Sequence, residues 1–168
     1  MGGRRSVIAL CSLVLMLPAA CTDEPDRPQM ACDRPSSGAV LCVFATEDGP
    51  RGRLLTPEDE VSGALGSFCW TFDDLGRCED LEEIPELGDA LAIASGSTIA
   101  VVGDAQRVSG SVGVVRVRNG RRLLADVADL DLSGGSATLR GSPGKHVIEV
   151  FGRWEQGDAE LYFPIEVT

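Results

Sequence analysis

The sequence predicts an all-β fold, an antiparallel sandwich of about seven to nine short strands stapled by disulfides. Three observations predict it. Short β-branched and apolar runs recur along residues 38–168 with Gly-containing turns between them. The final runs alternate strictly between two faces. Four cysteines remain for bridging once an N-terminal export signal is set aside.

The elements follow in order. AVLCVFAT (39–46) is bounded by Gly38 and EDGP, and LGSFCWTF (65–72) is strand-like with three aromatics. DALAIAS (89–95) and STIAVVGD (97–104) are short runs separated by Gly96. Asn119-Gly120 suits a type I′ turn, in which both central residues take positive φ, so Val112 to Val117 and Leu123 to Val127 form a hairpin. SATLR (136–140) follows a Gly pair, and KHVIEVFGRW and AELYFPIEV flank EQGD. Leu161, Phe163, Ile165 and Val167 share one face of the last strand, with Tyr162, Pro164 and Glu166 on the other. Ile148, Val150, Gly152 and Trp154 share a face of the strand before it. Pro164 predicts an edge position or a bulge, because it cannot donate to a ladder. TPEDEVSGAL (56–65) predicts one helical turn, with Thr56 as cap and Pro57 in the first position.

Residues 1–20 hold Arg4 and Arg5 and then the apolar run SVIALCSLVLMLPAA, which ends at Cys21. A basic start, a short apolar stretch and small residues before a cut site describe an export signal. The run falls short of the about 20 apolar residues that span a bilayer. LPAAC resembles the bacterial lipobox: Ala19, Ala20 and Cys21 match, while Pro18 stands where Leu is usual, so ordinary signal-peptidase cleavage nearby stays open. The resemblance implies that Cys21 carries a diacylglycerol, and two or three acyl chains hold firmly where one does not. Residues 21–37 are rich in Pro, Asp and Ser and read as a disordered tether, leaving 38–168 as the sandwich domain. The expected location is the cell membrane, lipid-anchored on the extracytoplasmic face, with secretion as the alternative.

The chain carries 15 basic and 26 acidic residues, a net charge of −11. Losing Arg4 and Arg5 leaves 13 basic against 26 acidic, or −13. That balance excludes nucleic acid, whose binding rests on releasing counterions to Lys and Arg. Anionic lipid surfaces also repel the body of the domain, so the lipid anchor is the expected membrane contact.

With Cys11 in the signal and Cys21 lipidated, Cys32, Cys42, Cys69 and Cys78 remain. An even count in an exported chain reads as disulfides, and four cysteines allow three pairings. Local pairing, Cys32–Cys42 and Cys69–Cys78, is the simplest, each bridge contributing about 2–3 kcal/mol by restricting the unfolded chain. A redox pair would show C-x-x-C, and zinc sites show short paired spacings or His partners; neither pattern is present. Trp70 is expected to pack beside the Cys69 sulfur and shield it from reductant.

GSFCW (66–70) followed by Cys78-Glu79-Asp80, together with GRWEQGDAELYFPIEV near the end, resembles a group of small bacterial secreted proteins and lipoproteins of unknown function. Gly66, Ser67, Cys69, Trp70, Cys78 and Asp80 fit the first motif, with Phe68 where Tyr is usual. Trp154, Gly157, Asp158, Tyr162, Phe163 and Val167 fit the second. The resemblance implies an exported β-sandwich with a Cys69–Cys78 bridge, and no activity. The architecture expected is immunoglobulin-like, although the Trp of true immunoglobulin domains lies well after the first bridged Cys.

The motifs of chemistry are missing: there is no G-x-S-x-G, phosphate-binding Gly loop, H-E-x-x-H or EF-hand loop. His146, the single histidine, lies in an apolar-alternating run and reads as a strand residue. Two acidic clusters, Asp126/Asp129/Asp131 and Asp73/Asp74/Glu79/Asp80/Glu82/Glu83, hold oxygens of the kind calcium takes, but read first as solvated faces. No metal or cofactor is expected. The one local inversion of charge is Arg116, Arg118, Arg121 and Arg122 around the Asn119-Gly120 turn, a candidate knob for an anionic partner that internal pairing would equally explain. The functional expectation is a non-enzymatic, envelope-anchored lipoprotein whose β-sandwich binds an envelope polymer or protein. The alternative is an exported protease inhibitor, using TEDGPRGRLLTPED (46–59) as a rigid loop, or a carbohydrate-binding sandwich.

Overall fold

The protein is represented by a computed structural model that describes residues 32–72 and 75–168. The expected signal, Cys21 and the residues up to 31 lie outside that range, as do Asp73 and Asp74. The described chain is all-β. Its strands are β1 (Ala39–Thr46), β2 (Gly49–Leu55), β3 (Glu60–Ser62), β4 (Ala64–Phe72), β5 (Leu75–Glu79), β6 (Leu91–Ile93), β7 (Thr98–Gly103), β8 (Arg107–Arg118), β9 (Arg121–Leu130), β10 (Ser136–Thr138), β11 (Gly144–Arg153) and β12 (Gly157–Val167).

They form two sheets. The smaller has five strands in the order β10-β7-β1-β2-β3. The larger has seven, β5-β4-β12-β11-β8-β9 with β6 added beside β12, and one of the two sheets curls into a half-barrel. The expected seven to nine antiparallel strands therefore become twelve, and two pairings are parallel: β1 with β7 and β6 with β12. The extra count comes from three-residue strands such as β3, β6 and β10, which bind one neighbour and carry too little periodicity to show in a sequence.

The core lies between the sheets. The face predicted for the last strand is the buried one: Leu161, Phe163, Ile165 and Val167 are at most 1% exposed. From the other sheet Leu41, Val43, Leu54 and Ile99 meet them. Phe163 occupies the centre. A Cβ at Gly52 on β2 would lie 2.6 Å from its ring, and one at Gly63 would lie 2.7 Å away, so two bare glycines make the slot that the ring fills.

Pro164 sits in a central strand and not at an edge. Trp154 N donates to Gly157 O (2.7 Å), which starts the β11–β12 ladder and leaves Val147 and Pro164 as a non-hydrogen-bonded pair. The Pro164 nitrogen thus points away from β11. On that side β4 ends at Ala64, opposite Tyr162, and β6 begins at Leu91, opposite Ile165. The missing donor falls where the neighbour changes, and no ladder bond is lost.

Residues 56–59 form a hairpin loop between β2 and β3, not a helical turn. Thr56 Oγ1 accepts from Asp59 N (3.1 Å) and Thr56 N donates to Asp59 O (2.8 Å), a side-chain turn that competes with helix. The expected inhibitory loop is also displaced, because residues 49–55 are β2 itself, with Leu54 and Leu55 buried. Cys32 bridges Cys42, and Arg34 donates to Glu60 (3.3 Å), so residues 32–34 of the expected tether are fastened to the domain.

Candidate functional site

The two motifs singled out in the sequence meet in space. GSFCW lies on β4 and GDAELYF on β12, and the strands pair directly: Gly157 opposite Trp70, Asp158 opposite Cys69, Ala159 opposite Phe68. Each residue has a structural task. Trp70 and Trp154 meet edge to face in the core, centroids 5.4 Å apart at 67°. Trp154 Nε1 donates to Asp104 Oδ1 (2.7 Å), and the same carboxylate accepts from Ala45 N (3.1 Å), tying the β7–β8 connection to β1. Gly66 is bare because the Tyr162 ring occupies the place its Cβ would take. Ser67 Oγ accepts from Leu81 N (3.1 Å) and reaches Asp80 Oδ1 (3.3 Å).

Cys69 and Cys78 are directly opposed across β4 and β5 and bridged. Here the expected shielding is corrected. Successive strand residues face opposite ways, so Trp70 turns into the core (2% exposed) while Cys69 and Cys78 face solvent. Cys42 of the other bridge is 2% exposed. Under mild reductant followed by alkylation and peptide mapping, Cys69 and Cys78 are expected to be labelled before Cys42. Simultaneous labelling would contradict this burial pattern.

The Asn119-Gly120 turn forms as expected, with φ of 53° and 79°. Of the four arginines around it, Arg116 pairs with Asp126 (2.6 Å), Arg121 with Glu82 (2.6 Å) and Arg122 with Glu83 (3.8 Å). Among the described residues only Arg118 of the four has no carboxylate partner. Internal pairing therefore absorbs most of the knob, and two of the acids come from the cluster that follows the bridge. Asp126 has φ 54° at a bulge, where two β9 residues (Asp126 and Val127) stand against one on β8 (Gly113). The bulge kinks the free edge of β9 and discourages further pairing there.

Residues 80–90 cross the outer face of the larger sheet as a strap. Ile84 is buried against Val147 and Tyr162, with Leu87 and Leu124 beside them. Ile84 N donates to Arg122 O (2.8 Å) and Arg122 N to Glu83 Oε2 (3.0 Å). Under the strap the Tyr162 hydroxyl lies 3.1 Å from Glu149 Oε1 and 3.1 Å from Glu160 Oε2, and Ser111 Oγ donates to Glu149 Oε2 (2.8 Å).

The chain matches no protein-family model, no curated protein and no solved structure.

The site is therefore judged on its chemistry alone. Burial, then the two facing carboxylates, push the Tyr162 phenol far above its ordinary range. Because its folded pKa is raised, the stability it lends is intact below the unfolded value of about 10 and is lost as pH climbs beyond it. Tyr162 is the single tyrosine, so tyrosinate absorbance reports it alone. The tyrosinate band is expected to rise only together with alkaline unfolding; a native protein titrating near the ordinary phenol value would refute this.

His146 Nε2 engages Ser142 O (2.8 Å), a local strand-end contact. Asp131 accepts from the Ser133 hydroxyl (2.6 Å), which holds its carboxyl below the usual range. Among the described residues no three His, Cys, Asp or Glu side chains gather as a metal site. Of the aromatics, Trp70, Trp154, Tyr162 and Phe163 are buried, and Phe151 is 37% exposed. Phe44, Phe68 and Phe72 are half-buried, Phe68 and Phe72 against the core.

Proposed function

We propose that the chain is a non-enzymatic, envelope-anchored lipoprotein, held by acylated Cys21, whose two-sheet domain is an interaction module on the extracytoplasmic face. The observation that carries this is the occupation of the motif residues. Cys69, Trp70, Cys78, Trp154 and Gly157 form the bridge, ring pair and close strand contact that hold the larger sheet. We take the facing sheets as immunoglobulin-like in architecture; the core around Phe163 between them supports this, and the parallel strands are additions to the pattern.

The partner surface that we favour is the β8–β9 hairpin, with Arg116, Arg118, Arg121 and Arg122. It projects Val117 (71% exposed) beside the unpaired Arg118. A photocrosslinker at Val117 in intact cells is expected to trap a discrete envelope species, reduced by Arg118→Ser. Labelled palmitate is expected on the chain and absent from Cys21→Ser. Recovery of the wild-type chain in the cytoplasm, unacylated and with free thiols, would overturn the proposal.

A further inference from the structure

Every residue from Leu75 to Glu83 is exposed, and within residues 75–90 only Ile84 is buried. β5 is an edge strand with β4 as its one neighbour. The strap that follows leans on exposed contacts: Ser67 Oγ accepts from Leu81 N, and Glu82 and Glu83 pair with Arg121 and Arg122. Exposed ion pairs contribute little to stability. Segments with few buried contacts are the ones that open locally while the rest of a domain stays folded. Two things oppose such opening here: the anchor Ile84, with half-buried Leu87 beside it, and the Cys69–Cys78 bridge.

The bridge also sets the length of the free span. With it closed, the strap is tied at Cys78 to β4 and, through β6 from Leu91, to β12. With it open, the first tie moves back to β4 itself, and holding a longer span against the sheet costs more chain entropy. Cys69 and Cys78 both face solvent, unlike Cys42. An exposed bridge is open to attack by an external thiolate.

We infer that the Cys69–Cys78 bridge is a site of thiol–disulfide exchange with a dithiol, and that its reduction frees β5 and the strap from the outer face of the larger sheet. One thiolate of the dithiol attacks one sulfur of the bridge, forming a mixed disulfide and expelling the other cysteine as thiolate. The second thiol of the donor then breaks the mixed disulfide. Two electrons and two protons pass to Cys69 and Cys78, which end as thiols, and the donor ends as a disulfide. Lifting the strap takes Ile84 off Val147 and Tyr162 and withdraws Glu82 and Glu83 from Arg121 and Arg122. It also releases the Arg122 main chain, whose N–H and C=O the strap occupies. Arg122 lies directly opposite the exposed Val117, so the reduced state bares a cationic, partly apolar face that the oxidised state covers. The movement of the strap does not depend on the β8–β9 hairpin being a partner surface.

The test uses the full chain carrying Cys11→Ser and Cys21→Ser, so that Cys32, Cys42, Cys69 and Cys78 remain, purified with both bridges closed. Dithiothreitol is the dithiol. Amides of residues 80–90 are expected to exchange hydrogen about tenfold or more faster in the reduced chain and in Cys69→Ser/Cys78→Ser than in the oxidised chain, while those of β11 and β12 keep their protection. Glutamyl endopeptidase is expected to cut the same two forms first within the strap, at Glu82, Glu83 or Glu86, and reoxidation of the reduced chain to restore resistance. Equal exchange of the strap in the oxidised and bridge-free forms would overturn the inference. So would loss of protection in the strap, β11 and β12 together, which would make the bridge a staple of the whole domain, or reduction of Cys32–Cys42 ahead of Cys69–Cys78. Crosslinking at Val117 reports separately on the hairpin surface.

Discussion

Replacing Phe163 with Ala is expected to remove about 3–5 kcal/mol of folding stability, much of what a domain of this size possesses. Phe163 is 0% exposed and fills the slot between Gly52 and Gly63. Deleting the ring loses its transfer energy and leaves a void that the flanking strands cannot collapse around, because each glycine has no side chain to move inward. Phe151→Ala, at a ring 37% exposed on the same sheet, is the control and is expected to cost less than about 1 kcal/mol. Urea denaturation followed by tryptophan fluorescence reads both, since Trp70 and Trp154 share the core with Phe163. Similar losses for the two variants would mean that Phe163 is not the central residue.

Gly157→Ala is expected to destabilise by about 3 kcal/mol or more. Gly157 has φ 153°, and a Cβ there would run into the carbonyl oxygen of Cys69 on the adjoining strand. A backbone oxygen within a paired strand cannot swing aside as a side chain does, so β4 and β12 would have to part beside the Trp70–Trp154 contact. Gly134→Ala, where an added Cβ would meet nothing within 4 Å, is expected to fall within about 0.5 kcal/mol of wild type. Equal tolerance at both positions would refute the β4–β12 register.

What the sequence made legible was local. The alternation of β12 revealed its buried face because a one-residue slip would have exposed Leu161, Phe163, Ile165 and Val167 together. The Asn119-Gly120 turn was legible because few residue pairs accept positive φ at both positions. The parallel pairings were not: β1 meets β7 across more than fifty intervening residues, and no local signal marks a partner so remote. That Trp70 would turn away from the Cys69 sulfur was readable from the same alternation, which puts consecutive residues on opposite faces. Glu82 and Glu83 read as solvated charge, and their pairing with Arg121 and Arg122 depends on the strap crossing the sheet.

The strand made last in this domain is also the one on which the larger sheet is assembled, since β12 holds β4, β11 and β6 at once. Until residue 167 clears the ribosome, those three partners have no common neighbour and the interior has no Phe163 to gather around. A polypeptide wired in this way stays pliant while it is being synthesised, and it locks only when its final segment arrives.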